Sequence, residues 1–562
     1  MLRRLICTVL WSLTLAPSLW AAAPADAPAG LDRLGALPLQ DGGRVMPLET
    51  YARRLAVEIT GRTRWSSNGP ESFTGRAPME LLLDVMFKGR EMLTSRVVTI
   101  DDKPLKRSIG LDPERRFFSP AELATTPGLN ELLMSFERAR AQDPQAKPDR
   151  TQRKALDIRA AANRIADLAG GEPLAVVPSP DGAAFRRAGP QVADPGAEKV
   201  QEAWKALGEA YIAGRTIEPE VDQLERAIAS LGVLTPIESR AVALEVFYVH
   251  HDPWTKTAVF YGLAIVAFGL SRLMLQRPLN IVAMICTGLG VAEHVMGVGL
   301  RIIILNRAPV SNTFEALLWM GLVAIALGLV AQLLNRRKGW YAFAGVCAAF
   351  VSVLFAGLVP LTDGTNSLPA VLRSNFWLTV HVLTIVASYG VLTVSAVLGH
   401  AYLIKNVLLR SRENHSALVV QTYRTIQVGL FLLTAGTILG GVWAAESWGR
   451  FWGWDPKETW ALISILVYFA VLHARYVGWL KDFGLAAAAV LGLVVIVWTF
   501  YGVNYVMASG LHSYGFGSGG ESWVALWAVA EFGFIALCWL RRRPQESPAG
   551  PSRVPAPSPR AS

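Results

Sequence analysis

From about residue 257 to residue 540 the chain is a succession of apolar segments, each long enough to cross a bilayer as a helix. Nine are counted, near 257–276, 279–300, 313–334, 341–359, 376–403, 425–443, 459–480, 483–507 and 522–540. Lipid offers no partner for backbone N–H and C=O groups, so segments of this length are expected to be helices packed together. The expected fold class is therefore all-α, a polytopic membrane bundle of about nine transmembrane helices.

A polar region precedes the bundle. Residues 1–23 read as a secretory signal or an N-terminal anchor: Arg3 and Arg4, an apolar run from Leu5 to Trp20, then Ala21, Ala22 and Ala23. Residues 24–255 are then expected to form an exported, mainly helical domain. Apolar periodicity marks helices over 78–98, 120–142, 150–170 and 196–230, whereas 101–119 and 171–199, rich in Pro, Gly and charge, read as loops. Nothing here has catalytic spacing, so a docking or lid role is expected. Residues 256–541 make the transmembrane domain, and 542–562, built of Pro, Ser, Ala and Arg, read as a disordered cytoplasmic tail.

Charge orients the bundle. Arg272, Arg277, Arg336, Arg337, Lys338, Lys405, Arg410, Arg412, Arg424, Arg475, Lys481 and Arg541 to Arg543 share one side, expected to be cytoplasmic. The other side carries fewer: Arg301, Arg307, Arg373, Arg450 and Lys457. Both the signal and the charge bias put the first domain outside, which predicts a bacterial inner membrane protein with a periplasmic domain. The net charge of +10 lies largely in cytoplasmic loops and tail and calls for no nucleic acid. The four cysteines are Cys7, Cys286, Cys347 and Cys538, none in the exported domain. A disulfide framework or thiol-redox motif there is excluded, and any thiol chemistry must use a partner's cysteines.

One outer loop stands apart. Residues 448–460 read Trp-Gly-Arg-Phe-Trp-Gly-Trp-Asp-Pro-Lys-Glu-Thr-Trp, and Trp443 brings the count to five indoles within eighteen residues. Anchoring at an interface uses tryptophan, but five indoles with two glycines and a proline exceed that need. Trp448, Trp452, Trp454 and Trp460 offer ring faces for a flat apolar ligand. Arg450 or Lys457 offers a cation for its carboxylates, and Asp455 completes the motif. Haem has those properties.

Topology sorts the eight histidines. His381 begins the fifth span, one turn from Trp377, and His512 lies in a short outer loop two spans after the tryptophans. Two imidazoles on that face are suited to hold one porphyrin iron from opposite sides; an interfacial side chain bonded to backbone is the alternative for each. His473 lies within the seventh span, about 20 Å below Trp460 at the helical rise. A ligand for haem on its way across is one reading, a packing histidine the other. His294 follows Glu293 inside the second span, where a carboxylate-paired structural histidine is favoured. His250, His251, His400 and His415 read as structural, while Glu315 and Glu531 are intramembrane carboxylates without an assigned role.

Together these residues resemble the CcsA/ResC family of cytochrome c biogenesis proteins, the membrane core of the system II cytochrome c synthase. Residues 448–460 are similar to its WWD loop, taken here over 443–460, and residues 375–381 to the segment carrying its first periplasmic haem-ligand histidine. His512 matches the second such histidine, and Leu472-His473-Ala474-Arg475 resembles the transmembrane ligand segment. Arg307 to Glu315 also looks like a family segment. The resemblance covers about 257–540. It implies haem b held by His473, then by His381 and His512, and attached to the Cys-x-x-Cys-His motif of apocytochrome c. That is a haem lyase subunit's work, supported by proteins that keep the apocytochrome thiols reduced. Fused family members carry a ResB/CcsB-type half that supplies a second transmembrane histidine, so a separate ResB/CcsB-like subunit is implied here. Two rivals are a haem exporter or chaperone serving another ligase, and an ion-coupled transporter gated by the aromatic loop.

Overall fold

The computed structural model describes residues 28–62, 76–144, 146, 148–179, 184–271, 274–335, 340–358, 376–411, 415–507 and 521–542. The expected signal 1–23, the basic cluster 336–338, Arg373, Asn375, His512 and the tail from 543 lie outside them. Helix dominates the described residues. The chain divides into two compact units: one holds the described residues of Met1–Val259, Ala292–Ala316 and Ala356–Asn375, the other those of Phe260–Val291, Leu317–Phe355 and Phe376–Ser562.

The first unit opens on a hairpin that pairs Pro38–Asp41 with Arg44–Pro47. Gly42 and Gly43, at φ 58° and 78°, make the tight turn whose twist suits such a hairpin. Helices Leu48–Thr60, Pro78–Phe87, Pro127–Gln142, Arg150–Ala169, Glu198–Ile212 and Glu218–Ala229 then surround a core that includes Leu34, Met46, Leu82, Phe118 and Trp204. Asp149 with Gln152, and Thr235 with Glu238, close capping boxes that start two of the helices. Both regions expected to be loops carry short strands: Phe117–Phe118 pairs with Val98–Thr99, at the end of the expected helix 78–98, and Leu174–Val177 pairs with Arg186–Ala188. Strands of two to four residues are too short to show a period, and tertiary burial of Val98, Phe118 and Val176 selects them.

Helix Pro236–His251 runs on almost directly into Pro253–Ser271, giving a 36-residue stretch. Its N-terminal half is fastened to the hairpin: Arg44 donates two hydrogen bonds to the buried Glu245 carboxylate, at 2.7 and 2.9 Å. His250 contacts Glu49 at 2.9 Å.

Eight described helices are long and apolar enough to cross a membrane: Pro236–Ser271, Gln276–Leu305, Thr313–Leu334, Phe376–Leu408, Ser416–Trp448, Pro456–Tyr476, Asp482–Met507 and Glu521–Arg541. The ninth apolar segment forms the shorter helix Tyr341–Leu358. The chain is a multi-pass membrane protein. In the second unit helices approach to backbone contact where side chains are missing. A Cβ at Gly390 would lie 2.5 Å from the Met320 carbonyl oxygen, and one at Gly399 2.7 Å from that of Ala486. Small residues permit such crossings between spans. The end of Asp482–Met507 departs from the α-helix: residues Trp498–Met507 wind as a π-helix.

Candidate functional site

The second unit brings His381 to the tryptophan motif through a glycine notch. His381 is the sixth residue of helix Phe376–Leu403, which packs along helix Ser416–Trp448. On the latter, a Cβ at Gly436 would sit 2.9 Å from the Ile385 backbone, and one at Gly440 would sit 2.7 Å from the His381 ring. The imidazole therefore occupies the space that a side chain at residue 440 would need, while glycine at 436 lets the two helices close. Its Nδ1 is 2.7 Å from the Gly436 carbonyl oxygen. A carbonyl only accepts, so Nδ1 carries a proton and donates to it, and Nε2 is the nitrogen left for a ligand or a second partner. The ring runs nearly parallel to Trp443, 7° between planes and 6.5 Å between centroids.

Helix Ser416–Trp448 extends past the expected span 425–443, so Trp443 and Trp448 are helical, packed edge to face at 4.6 Å. Gly449, at φ 70°, ends the helix in the left-handed conformation. Seven residues, Gly449 to Asp455, then remain as loop before Pro456 opens the next helix. One carboxylate pins this loop. Glu458 accepts from the Gly453 N–H at 2.7 Å and the Asp455 N–H at 3.1 Å, and pairs with Arg450 at 3.4 Å. Asp455 in turn accepts from the Lys457 N–H at 2.9 Å. The Arg450 guanidinium lies over Gly453, where a Cβ would collide with it at 1.5 Å, and over the Trp448 ring at 5.7 Å.

The indoles pair off. Trp443 and Trp448 accompany His381. Trp452 and Trp454 stand perpendicular at 6.0 Å, Trp454 being 70% exposed and held at φ 57°, a strained backbone for a bulky residue. Trp460 meets Trp498 of the π-helix at 5.7 Å. Lys457, a possible cation for a ligand carboxylate by sequence, instead turns its ammonium to the π-helix. It donates to the carbonyls of Thr499 at 2.9 Å and Phe500 at 3.2 Å, and to Asn504 Oδ1 at 3.1 Å. Arg450 is thus the loop's own cation beside the indoles. Glu458 went unnoticed in the sequence, although Asp455-x-x-Glu458 has the spacing of a capping box. The aromatic run Trp498, Phe500, Tyr501 and Tyr505 was equally visible, but a π-helix leaves no periodic mark in so short a segment.

His473 stands elsewhere. It lies on an exposed face of helix Pro456–Tyr476 with Leu466, Phe469 and Tyr476, its Nδ1 2.9 Å from the Phe469 carbonyl of the same helix. His512 lies outside the described residues, so its position relative to His381 is not part of this geometry.

The remaining intramembrane charges find partners within their own units. Glu293 pairs with His251 at 2.7 Å and not with its neighbour His294, because adjacent helical residues point apart. His294 is fully buried, edge to face with Trp254 at 5.8 Å. Glu315 binds Arg301 at 2.8 Å, Arg307 at 3.4 Å and the Ser311 N–H at 2.9 Å, which fixes the 306–312 turn. Glu531 meets His400 at 2.9 Å.

Residues 310–512 match the family described as Cytochrome C assembly protein. NrfI of Wolinella succinogenes is 38% identical over 231 residues, which cover 40% of this chain and 25% of NrfI. The cytochrome c biogenesis protein CcsA of Synechococcus sp. (strain CC9605) is 37% identical over 248 residues, 37% of this chain and 78% of that protein. CcsA of Prochlorococcus marinus (strain MIT 9303) is likewise 37% identical over 250 residues, 37% of this chain and 76% of that protein. The chain therefore spans a quarter of NrfI and about three quarters of each CcsA protein.

Proposed function

Because this chain belongs to the CcsA family of cytochrome c biogenesis proteins, we propose that it carries haem b outward and holds it for attachment to apocytochrome c. Haem is the substrate. The reading rests on one observation above others: His381 donates through Nδ1 to a backbone carbonyl and lies beside Trp443, which packs on Trp448. A ligand imidazole is oriented in this way by the bond its other nitrogen makes. Arg450 beside Trp448 supplies a cation near those rings, suited to a propionate. His512 is the partner ligand on the outer side, and His473 receives haem earlier, on a face open to a second membrane subunit.

The protein supplies no nucleophile in this scheme. Each apocytochrome thiol adds its S–H across a haem vinyl group, forming a thioether with no leaving group and no net oxidation. The chain contributes position, which is worth up to ~7–11 kcal/mol where orientation is good. The Cys-x-x-Cys-His histidine of the product then replaces one protein imidazole and permits release. The outer loop is on the periplasmic side of the inner membrane, and a ResB/CcsB-like subunit supplies the second intramembrane ligand.

The test is co-expression with such a subunit and a simple c-type cytochrome, scoring covalent haem. His381→Ala and His512→Ala should each abolish product and weaken the Soret band of the purified complex, with partial recovery in added imidazole. Full product from both single variants sinks the assignment.

A further inference from the structure

Lysine in the first turn of a helix runs against the helix dipole, since the exposed N–H groups there already carry positive charge. Lys457 is the second residue of Pro456–Tyr476, so a contact beyond its own helix must favour it there. The structure supplies one. Its ammonium has three donors and meets three oxygens, the carbonyls of Thr499 and Phe500 and Oδ1 of Asn504, all from one turn of the π-helix. It also lies 5.6 Å from the Phe500 ring centre. Two turns further along, the Ser464 and Thr499 hydroxyls meet at 2.8 Å, and Trp460 packs on Trp498. The aromatic loop is joined to the same helix end through Asp455 and Glu458.

We propose that Lys457 is a positioning residue: it clasps the start of Pro456–Tyr476 to the π-helix, and so fixes the tryptophan loop in register with the aromatic row Trp498, Tyr501 and Tyr505. The π-helix is the receptor for that ammonium. Its widened turn offers two successive carbonyls and the Asn504 amide oxygen to one point charge. An arginine fork does not suit this three-oxygen nest, so Lys457→Arg is not a conservative change here. The functional half of the proposal rests on the haem-handling reading; the clasp itself does not.

The experiment uses the full chain in detergent and has two arms. In the first, without haem, hydrogen exchange is followed in peptides covering 495–507. Lys457→Met should speed exchange of these amides by about 10-fold, the loss anticipated for one charge-assisted hydrogen bond. Asn504→Leu, which leaves the lysine in place, should do so in part, and Asn504→Asp, which keeps the acceptor, should not. In the second arm, haem is added with the partner subunit. Lys457→Met should shift the absorption and electron paramagnetic resonance signature of the bound haem and lower covalent product, again with Asn504→Asp close to wild type.

Unchanged exchange in both Lys457→Met and Asn504→Leu overturns the clasp. Raised exchange with an unaltered haem signature and full product overturns the positioning role. A wild-type chain that takes up no haem overturns the proposed function, and the exchange arm still decides the clasp.

Discussion

His381 and His473 each direct Nδ1 at a backbone carbonyl, at 2.7 and 2.9 Å, yet the two carbonyls differ in origin. That of His381 belongs to a neighbouring helix and is reachable only because residues 436 and 440 are glycine. That of His473 belongs to its own helix, one turn back, and its ring lies on an exposed face. The first imidazole is oriented by helix packing. The second is oriented by its own helix and left open to whatever covers that face. One site should therefore be sensitive to changes on the opposing helix, and the other to the presence of a partner.

Gly440→Leu is the sharpest way to break this contrast. Its side chain would occupy the His381 ring position, and haem retained by the purified complex should fall about 10- to 100-fold, as for loss of an orienting contact. Soret absorbance per protein measures it; wild-type retention would mean that the notch does not orient the ring. His473→Ala should reduce haem about 10-fold, but only in the complex with a ResB/CcsB-like subunit. An equal loss from the isolated chain would remove the distinction between the two histidines.

Glu458→Ala tests the loop between these extremes. It strips the acceptor from two backbone N–H groups and from Arg450. The melting transition in detergent should report a loss of about 1.5–3 kcal/mol, together with weaker haem retention. Trp454→Gly should have the smallest effect on stability, and of opposite sign. Relief of its left-handed backbone should stabilise the chain by about 1 kcal/mol, while the lost exposed indole lowers haem retention. Destabilisation by this change would mean that the strain is not stored at Trp454.

How much was legible in the sequence varies by element. The apolar segments were read because membrane insertion depends on local composition; eight of the nine form described helices long enough to span, several of them extended, and the ninth forms the shorter helix Tyr341–Leu358. The tryptophan motif was found by density alone, but its division into three pairs was not. That division follows from where helix Ser416–Trp448 ends, five residues past the expected end of its span at 443. Intramembrane charges were recognised and mostly misassigned or left unassigned. Glu293 pairs with a histidine 42 positions away, and Glu531 with one 131 positions away. No local pattern encodes such distances.

What the sequence determined by itself was therefore what the solvent sets: which segments are apolar enough to enter lipid, which stretches are too polar to do so, and where the indoles are concentrated. Tertiary structure decided everything set by approach between helices. Glycine at 440 becomes a seat for His381 only when another helix lies against it, and Lys457 turns from a ligand for cargo into a clasp only when a π-turn presents three oxygens to it. Partition into lipid is a sum over neighbouring residues, whereas a contact across helices depends on residues that the chain itself keeps apart.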